Sequence, residues 1–138
     1  MNLLVDMDVF IDWLHNQVEA KAFFRNPPGQ IYYARQTRKE LLRGATSSSE
    51  ERMILQRLAR FRIVNLDNQI AQAYSELIQH YPYLQQHLSD TIIAATAKIK
   101  YLTLVTRNIR HFKPLISEIK IAKFPNDFDF LLLRKQPI

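Results

Sequence analysis

Three carboxylates in this chain stand where they can act together. Asp6 follows the apolar run Leu3-Leu4-Val5, Glu40 follows the run Ile31-Tyr32-Tyr33-Ala34, and Asp90 opens an apolar helical segment. Asp8 lies just beyond Asp6, and Thr106, Asn108 and His111 follow a further apolar run, Leu102 to Val105. Gathered like charges repel, so they need a cation or a shared proton. Cysteine is absent and no two histidines share helical spacing, so a soft or borderline metal is poorly served. Carboxylate oxygens suit hard ions, Mg2+ or Mn2+. Such an ion activates a bound water and neutralises charge on a phosphoryl group. The surface fits that chemistry: 19 Lys and Arg against 13 Asp and Glu give a formal charge of +6, which favours a polyanion. Arg107, Arg110 and Lys113 lie beside the candidate site and are candidate phosphate contacts. The chemistry indicated is hydrolysis of a nucleic-acid phosphodiester.

Each of these residues also has a plainer reading. Asp6 or Asp8 can cap the first helix, Glu40 completes a capping box with Thr37, and Asp90 sits in a first helical turn where the dipole favours an anion. Taken singly the acids read as caps; three of them on one sheet edge read as a metal site. Thr106 can bond a site carboxylate or simply end a strand, and Asn108 can orient a ligand or make a turn. Asp12 suits a salt bridge or the site, and the three basic residues can be a solvated edge. His111 is expected to face solvent or a partner. His15, His80 and His87 show no ligand spacing and read as surface or packing residues.

The elements that must position these groups alternate between strand and helix. Strands are expected at 3–5, 31–34, 62–66, 102–106 and, more weakly, 119–122. One helical face runs from Val9 through Phe10, Trp13 and Leu14 towards Val18 and Ala22, until Asn26-Pro27-Pro28-Gly29 breaks it. A helix starts at the Thr37–Glu40 box and stops at Gly44, another starts at a Ser48–Glu51 box, and Asp67 caps a third that Pro82 closes. Ser89-Asp90 opens a helix apolar nearly all round, hence buried. The pattern predicts the α/β class: a three-layer α/β/α sandwich with a central, mostly parallel sheet of about four to five strands. Ligands of such sheets bind at the carboxyl ends of the strands.

The chain of 138 residues is expected to form a single domain, residues 1–138, without disulfides. No basic segment precedes a long apolar run, and no stretch reaches the roughly 18 residues of a membrane span, so a cytoplasmic protein without membrane association is expected.

The segments carry a resemblance. Leu3-Leu4-Val5-Asp6-Met7-Asp8-Val9-Phe10-Ile11-Asp12 looks like the opening of a PIN domain, and Thr37-Arg38-Lys39-Glu40-Leu41-Leu42-Arg43-Gly44 fits that family's Glu helix. Asp90-Thr91-Ile92-Ile93-Ala94-Ala95-Thr96-Ala97 resembles its second Asp helix, and Leu102 to Phe112 is similar to its Thr-Arg-Asn block. The blocks keep the family's order over nearly the whole chain. A PIN domain of this size resembles the VapC group of toxins, which implies a Mg2+- or Mn2+-dependent endoribonuclease that leaves 5′-phosphate and 3′-hydroxyl ends and pairs with a small antitoxin. Carried over, Asp6, Glu40 and Asp90 would be the catalytic and metal-site carboxylates. This sequence departs from the pattern at three places: Met7 replaces the usual Ser or Thr, Asp8 stands where Asn is common, and His111 occupies the place of a fourth acid.

An antitoxin segment is expected to lay an apolar helix in a groove and to push an Arg or Lys toward the carboxylates. The apolar run Phe128 to Leu133 is read as part of that surface, of a homodimer contact or of a last strand. Two alternatives remain open on sequence: a catalytically weakened PIN-fold RNA-binding or assembly module, and a hydrolase with an Asp nucleophile in the Asp6-x-Asp8 pair.

Overall fold

The computed structural model describes residues 1–128; most of the run Phe128 to Leu133 lies outside the described residues. The strands are β1 (Asn2–Val5), β2 (Gln30–Ala34), β3 (Arg62–Val64), β4 (Thr103–Thr106) and β5 (Ile121–Lys123). They form one sheet in the order β3-β2-β1-β4-β5, and every pairing is parallel. Parallel neighbours need crossover segments, and helices supply them here. α1 (Met7–Leu14) and α2 (Val18–Arg25) link β1 to β2, and α3 (Arg35–Arg43) and α4 (Ser48–Leu58) link β2 to β3. α5 (Asn68–His80) and α6 (Leu88–Lys100) link β3 to β4, and the short α7 (Ile109–Phe112) precedes β5.

Strand alternation splits the core in two. Leu3, Val5, Ile31, Tyr33 and Val105 face a cluster with the side chains of α1 to α4. Leu4, Ala34 and Leu104 face the opposite cluster, built on α5, α6 and Phe112. The three-layer α/β/α expectation holds, with five strands. On the first face the rings of Trp13 and Phe24 stack 4.2 Å apart, and Phe10 and Phe23 each lie 5.1 Å from Phe24. The Arg57 guanidinium sits over Trp13 at 5.0 Å, as a cation does over an aromatic face. On the second face Ala94, Ala95 and Ala97 let α6 approach the sheet closely.

Several expected boundaries move, each for a local reason. The single helix expected from Val9 to Ala22 is two, because Asn16 adopts a left-handed backbone with φ 61° and Gln17 starts α2 by accepting from the Ala20 N–H at 2.8 Å. The Thr37–Glu40 capping box does not form: α3 starts at Arg35 behind Ala34, and Thr37 lies buried inside it. The Ser48–Glu51 box is displaced by one residue, with the Ser47 hydroxyl accepting from the Glu50 N–H. The third strand ends at Val64 and the last begins at Ile121. α6 begins at Leu88, one residue before Ser89. Asp67 caps α5 as expected, accepting from the Ile70 N–H at 2.8 Å.

The Phe24→Ala substitution empties the centre of the aromatic cluster and is expected to cost about 3–5 kcal/mol. Urea unfolding measures it; a loss under about 1 kcal/mol would mean that neighbouring rings collapse into the space.

Candidate metal and active site

The sheet order places the chemistry. From β1 the chain runs outward through β2 and β3, then returns to the other side of β1 as β4. Such a reversal opens a crevice at the carboxyl ends of the two strands. Asp6 and Thr106 sit there: the Asp6 N–H donates to the Val105 carbonyl at 2.9 Å, which carries the β1–β4 ladder one residue past the strand.

The side chains at this edge hold one another. The Thr106 hydroxyl, fully buried, donates to Asp6 Oδ2 at 2.9 Å and accepts from the Asn108 N–H at 3.0 Å. Asp6 Oδ1 accepts from the Met7 N–H at 2.8 Å. Asp8 comes from the first turn of α1, and its Oδ2 accepts from the Arg107 N–H at 3.2 Å. Glu40 reaches in from α3, where Gln36 Nε2 donates to its Oε1 at 2.8 Å. Asp90 comes from the first turn of α6 and lies 2.8 Å from His111 Nδ1. Asp6, Asp8, Glu40, Asp90, Asn108 and His111 all line one cleft of about 160 Å³, together with Thr37 and Ser89. The fold thus brings every predicted acid to one edge, on four different elements.

Burial first, and then the neighbouring charge of Asp8, push the Asp6 carboxyl up to about 7 against the opposing bonds from Thr106 and Met7. Burial also raises Asp8, opposed by the Arg107 N–H and guanidinium. Among the described residues, two buried side-chain oxygens have no hydrogen-bond partner, Asp8 Oδ1 and Thr37 Oγ1. Both belong to residues that line this cleft. Buried polar atoms are nearly always paired, so two unpaired oxygens on residues of one cleft lining fit a site that takes a polar guest. The donor set is four carboxylates with hydroxyl and amide oxygens and one imidazole, His111, and its oxygen majority fits a hard divalent ion. The carboxylates of Asp6, Glu40 and Asp90 face the cleft from different sides without closing on one point. Among the described residues, the group whose ligand atoms all lie within 4.8 Å of one another is His87, Asp90 and His111.

The remaining candidates divide. Arg107 is committed: its guanidinium pairs with Asp12 at 2.8 Å, so Asp12 makes the salt bridge rather than lining the cleft. Arg110 and Lys113 are exposed on the segment that carries His111. His111 is half-exposed on the cleft and also bonds Asp90 at 2.8 Å, a contact that the expectation of a solvent- or partner-facing residue did not include. His87 packs as expected, and its packing partner is a site residue: its ring lies 5.1 Å from that of His111. Sequence reasoning passed over Thr37 and His87. Thr37 was hidden by its resemblance to a cap, whereas the spacing His87-x-x-Asp90 at a helix start was a usable signal.

Comparison with known proteins decides the family. The PIN domain family profile matches residues 3–114. The chain belongs to the PIN domain family. Ribonuclease VapC10 of Mycobacterium tuberculosis is 30% identical over 122 residues, which cover 86% of this chain and 90% of that protein. A toxin-antitoxin complex from Klebsiella pneumoniae contains a chain 30% identical to this one, with a TM-score of 0.74 over 88% of this chain and 96% of that chain. The fold also recurs in VapBC-1 from nontypeable Haemophilus influenzae, at 19% identity and a TM-score of 0.71 over 89% of this chain and 98% of that one. In this PIN domain the residues carried over from the family pattern, Asp6, Glu40 and Asp90, line one cleft together with Asp8 and Thr37, the two residues with an unpaired buried oxygen.

The raised Asp6 carboxyl has a measurable consequence. The unfolded chain releases that proton near 3.8 and the folded chain near 7. Between these values the folded state binds more protons, so stability falls as pH rises through the window. In EDTA, Asp6→Asn is expected to gain stability over the parent progressively from pH 4 to about 7, with no gain below pH 4. Denaturant unfolding across pH checks this; a constant difference would show that Asp6 carries no raised proton.

Proposed function

We propose that this PIN domain is a divalent-metal-dependent endoribonuclease, a VapC-like toxin of the cytoplasm held in check by a small antitoxin. The reading is carried by one observation: Asp6, Asp8, Glu40 and Asp90, from separate parts of the chain, line one cleft, and Asp8 and Thr37 of its lining each keep a buried oxygen without a hydrogen-bond partner. The ribonuclease name of the Mycobacterium relative and the toxin-antitoxin assembly of the Klebsiella chain support it.

Asp6, Glu40 and Asp90 would hold Mg2+ or Mn2+, with Asp8 beside them. When bound, such an ion lowers the pKa of a water and neutralises charge on a phosphoryl oxygen. The chain's own residues do the rest. Thr106 fixes the rotamer of Asp6, the Arg107 N–H fixes Asp8, and His111 orients Asp90. Arg110 and Lys113, exposed beside the cleft, meet the RNA backbone and set its register without reading bases. Arg107 supports the site through Asp12 and Asp8 instead.

A second groove, of about 760 Å³, runs between α1, α3 and α4 and is lined by Met7, Ile11, Leu14, Leu41, Met53 and Ile54. Glu40 borders this groove and the carboxylate cleft alike. An apolar antitoxin segment seated here would bring a basic side chain to the carboxylates. The toxin works as one domain and forms a homodimer, which light scattering reads. Among the described residues no helix is long and apolar enough to cross a membrane.

One observation favours a second reading, a PIN-fold RNA-binding or assembly module without catalysis: a histidine stands against Asp90 where the family pattern has an acid. Incubating the partner-free chain with tRNA, rRNA and mRNA separates the two. Cutting that requires Mg2+ or Mn2+, stops in EDTA and yields 5′-phosphate ends is expected. Asp6→Asn and Asp90→Asn are each expected to lower the rate by about 100-fold or more, the cost of losing a charge-stabilising group. Either variant cutting at the parent rate would contradict the site, and RNA bound but uncut under Mn2+ would favour the module.

A further inference from the structure

We propose that His87, Asp90 and His111 form a second cation site at the edge of the carboxylate cleft, which shares Asp90 and His111 with that cleft and, through its two imidazoles, selects a borderline transition ion of the Zn2+ class. The three side chains come from separate places: His87 precedes α6, Asp90 lies in its first turn, and His111 is on α7. Each offers one ligand atom within 4.8 Å of the other two. Around a tetrahedral Zn2+ with bonds near 2.0–2.1 Å, ligand atoms lie about 3.4 Å apart. His111 Nδ1 and Asp90 Oδ2 are hydrogen-bonded at 2.8 Å, so an ion would replace the proton between them and open the pair slightly, while His87 closes in from within 4.8 Å.

The backbone prepares the site. The His87 carbonyl accepts from the Thr91 N–H at 3.0 Å and from the Thr91 hydroxyl at 2.8 Å, while the His87 N–H donates to the Leu84 carbonyl at 2.9 Å. Thr91 and Leu84 are fully buried. His87 makes no side-chain cap bond to α6, so its ring is not engaged as a cap. His111 is anchored by its neighbour Phe112, buried in the core, and the Tyr83 hydroxyl donates to its carbonyl at 3.4 Å. The three residues are half-buried, which leaves a path for the ion and room for a water to complete its shell.

Chemistry sets the selectivity. Two imidazoles and one carboxylate bind Zn2+ well above Mn2+ and Mg2+, whereas the carboxylates of Asp6, Asp8 and Glu40 favour the hard ions. Asp90 and His111 belong to both groups, so the two sites are coupled through two side chains. The ligand set arises from the histidine at position 111 and from the His87-x-x-Asp90 spacing.

Calorimetric titration of the partner-free chain with ZnCl2, in the absence of RNA, tests the proposal. Zn2+ is expected to bind far more tightly than Mg2+ under the same conditions. His87→Gln and His111→Gln are each expected to weaken Zn2+ binding by at least about tenfold, with circular dichroism verifying that both fold. Asp6→Asn retains all three ligands and is expected to change Zn2+ affinity less than either histidine variant. Co2+ in place of Zn2+ provides a second readout, a visible ligand-field band that changes in the histidine variants. Unchanged Zn2+ affinity in both histidine variants, or a larger loss in Asp6→Asn, would overturn the site. None of these readouts involves RNA, so a failure here and a failure of the nuclease reading are separate results.

Discussion

The cost of burying Asp6 is the constraint on which the rest of this structure depends. A carboxylate at the end of β1, covered by the sheet edge and beside a second acid, holds its proton up to about 7. The fold tolerates it by surrounding it with donors: the Thr106 hydroxyl on one oxygen and the Met7 N–H on the other. Those bonds offset only part of the penalty, as the raised proton affinity records. A divalent ion would stabilise the remainder, because it favours the charged form of every acid in the cleft at once. The same place would therefore be a weak point of the empty fold and the seat of its chemistry.

The sheet order explains why these groups meet. Residues about a hundred positions apart, Asp6 and Thr106, become neighbours because β4 returns beside β1. α3 and α6 then deliver Glu40 and Asp90 from opposite faces of the sheet. Loops alone would not hold four acids so close, since each would swing outward to water. Here α1, α3 and α6 are pinned by buried aromatic, leucine and alanine contacts, so the acids are held by the core.

Much of this was legible in the sequence, and the limits are instructive. The apolar runs ahead of Asp6 and around Leu104 announced buried parallel strands, and their order announced the crevice. Boundaries governed by a single residue's backbone were not legible: nothing in the pattern from Val9 to Ala22 signals the left-handed turn at Asn16 that divides α1 from α2. Thr37 shows the converse failure, where a plausible local motif lost to tertiary packing that buries it within α3. The acids of the cleft could be named because strand ends are predictable. The contact of His111 with Asp90, and of His87 with His111, depends on how α7 packs against the start of α6, which spacing along the chain does not encode.

Asp90 gives the cleft a mixed character. On one side it faces oxygen donors suited to a hard ion, on the other a histidine ring. A fourth acid in place of His111 would add charge and repulsion; the histidine adds a neutral or positive group and a nitrogen ligand. Metal preference in this chain would accordingly be set by the histidine side as well as by the carboxylates. The most direct measurement is anomalous diffraction from crystals of the partner-free chain grown with Mn2+. A manganese peak in the cleft bounded by Asp6, Glu40 and Asp90 is the predicted result, and full Mn2+ loading with no peak in that cleft would contradict it.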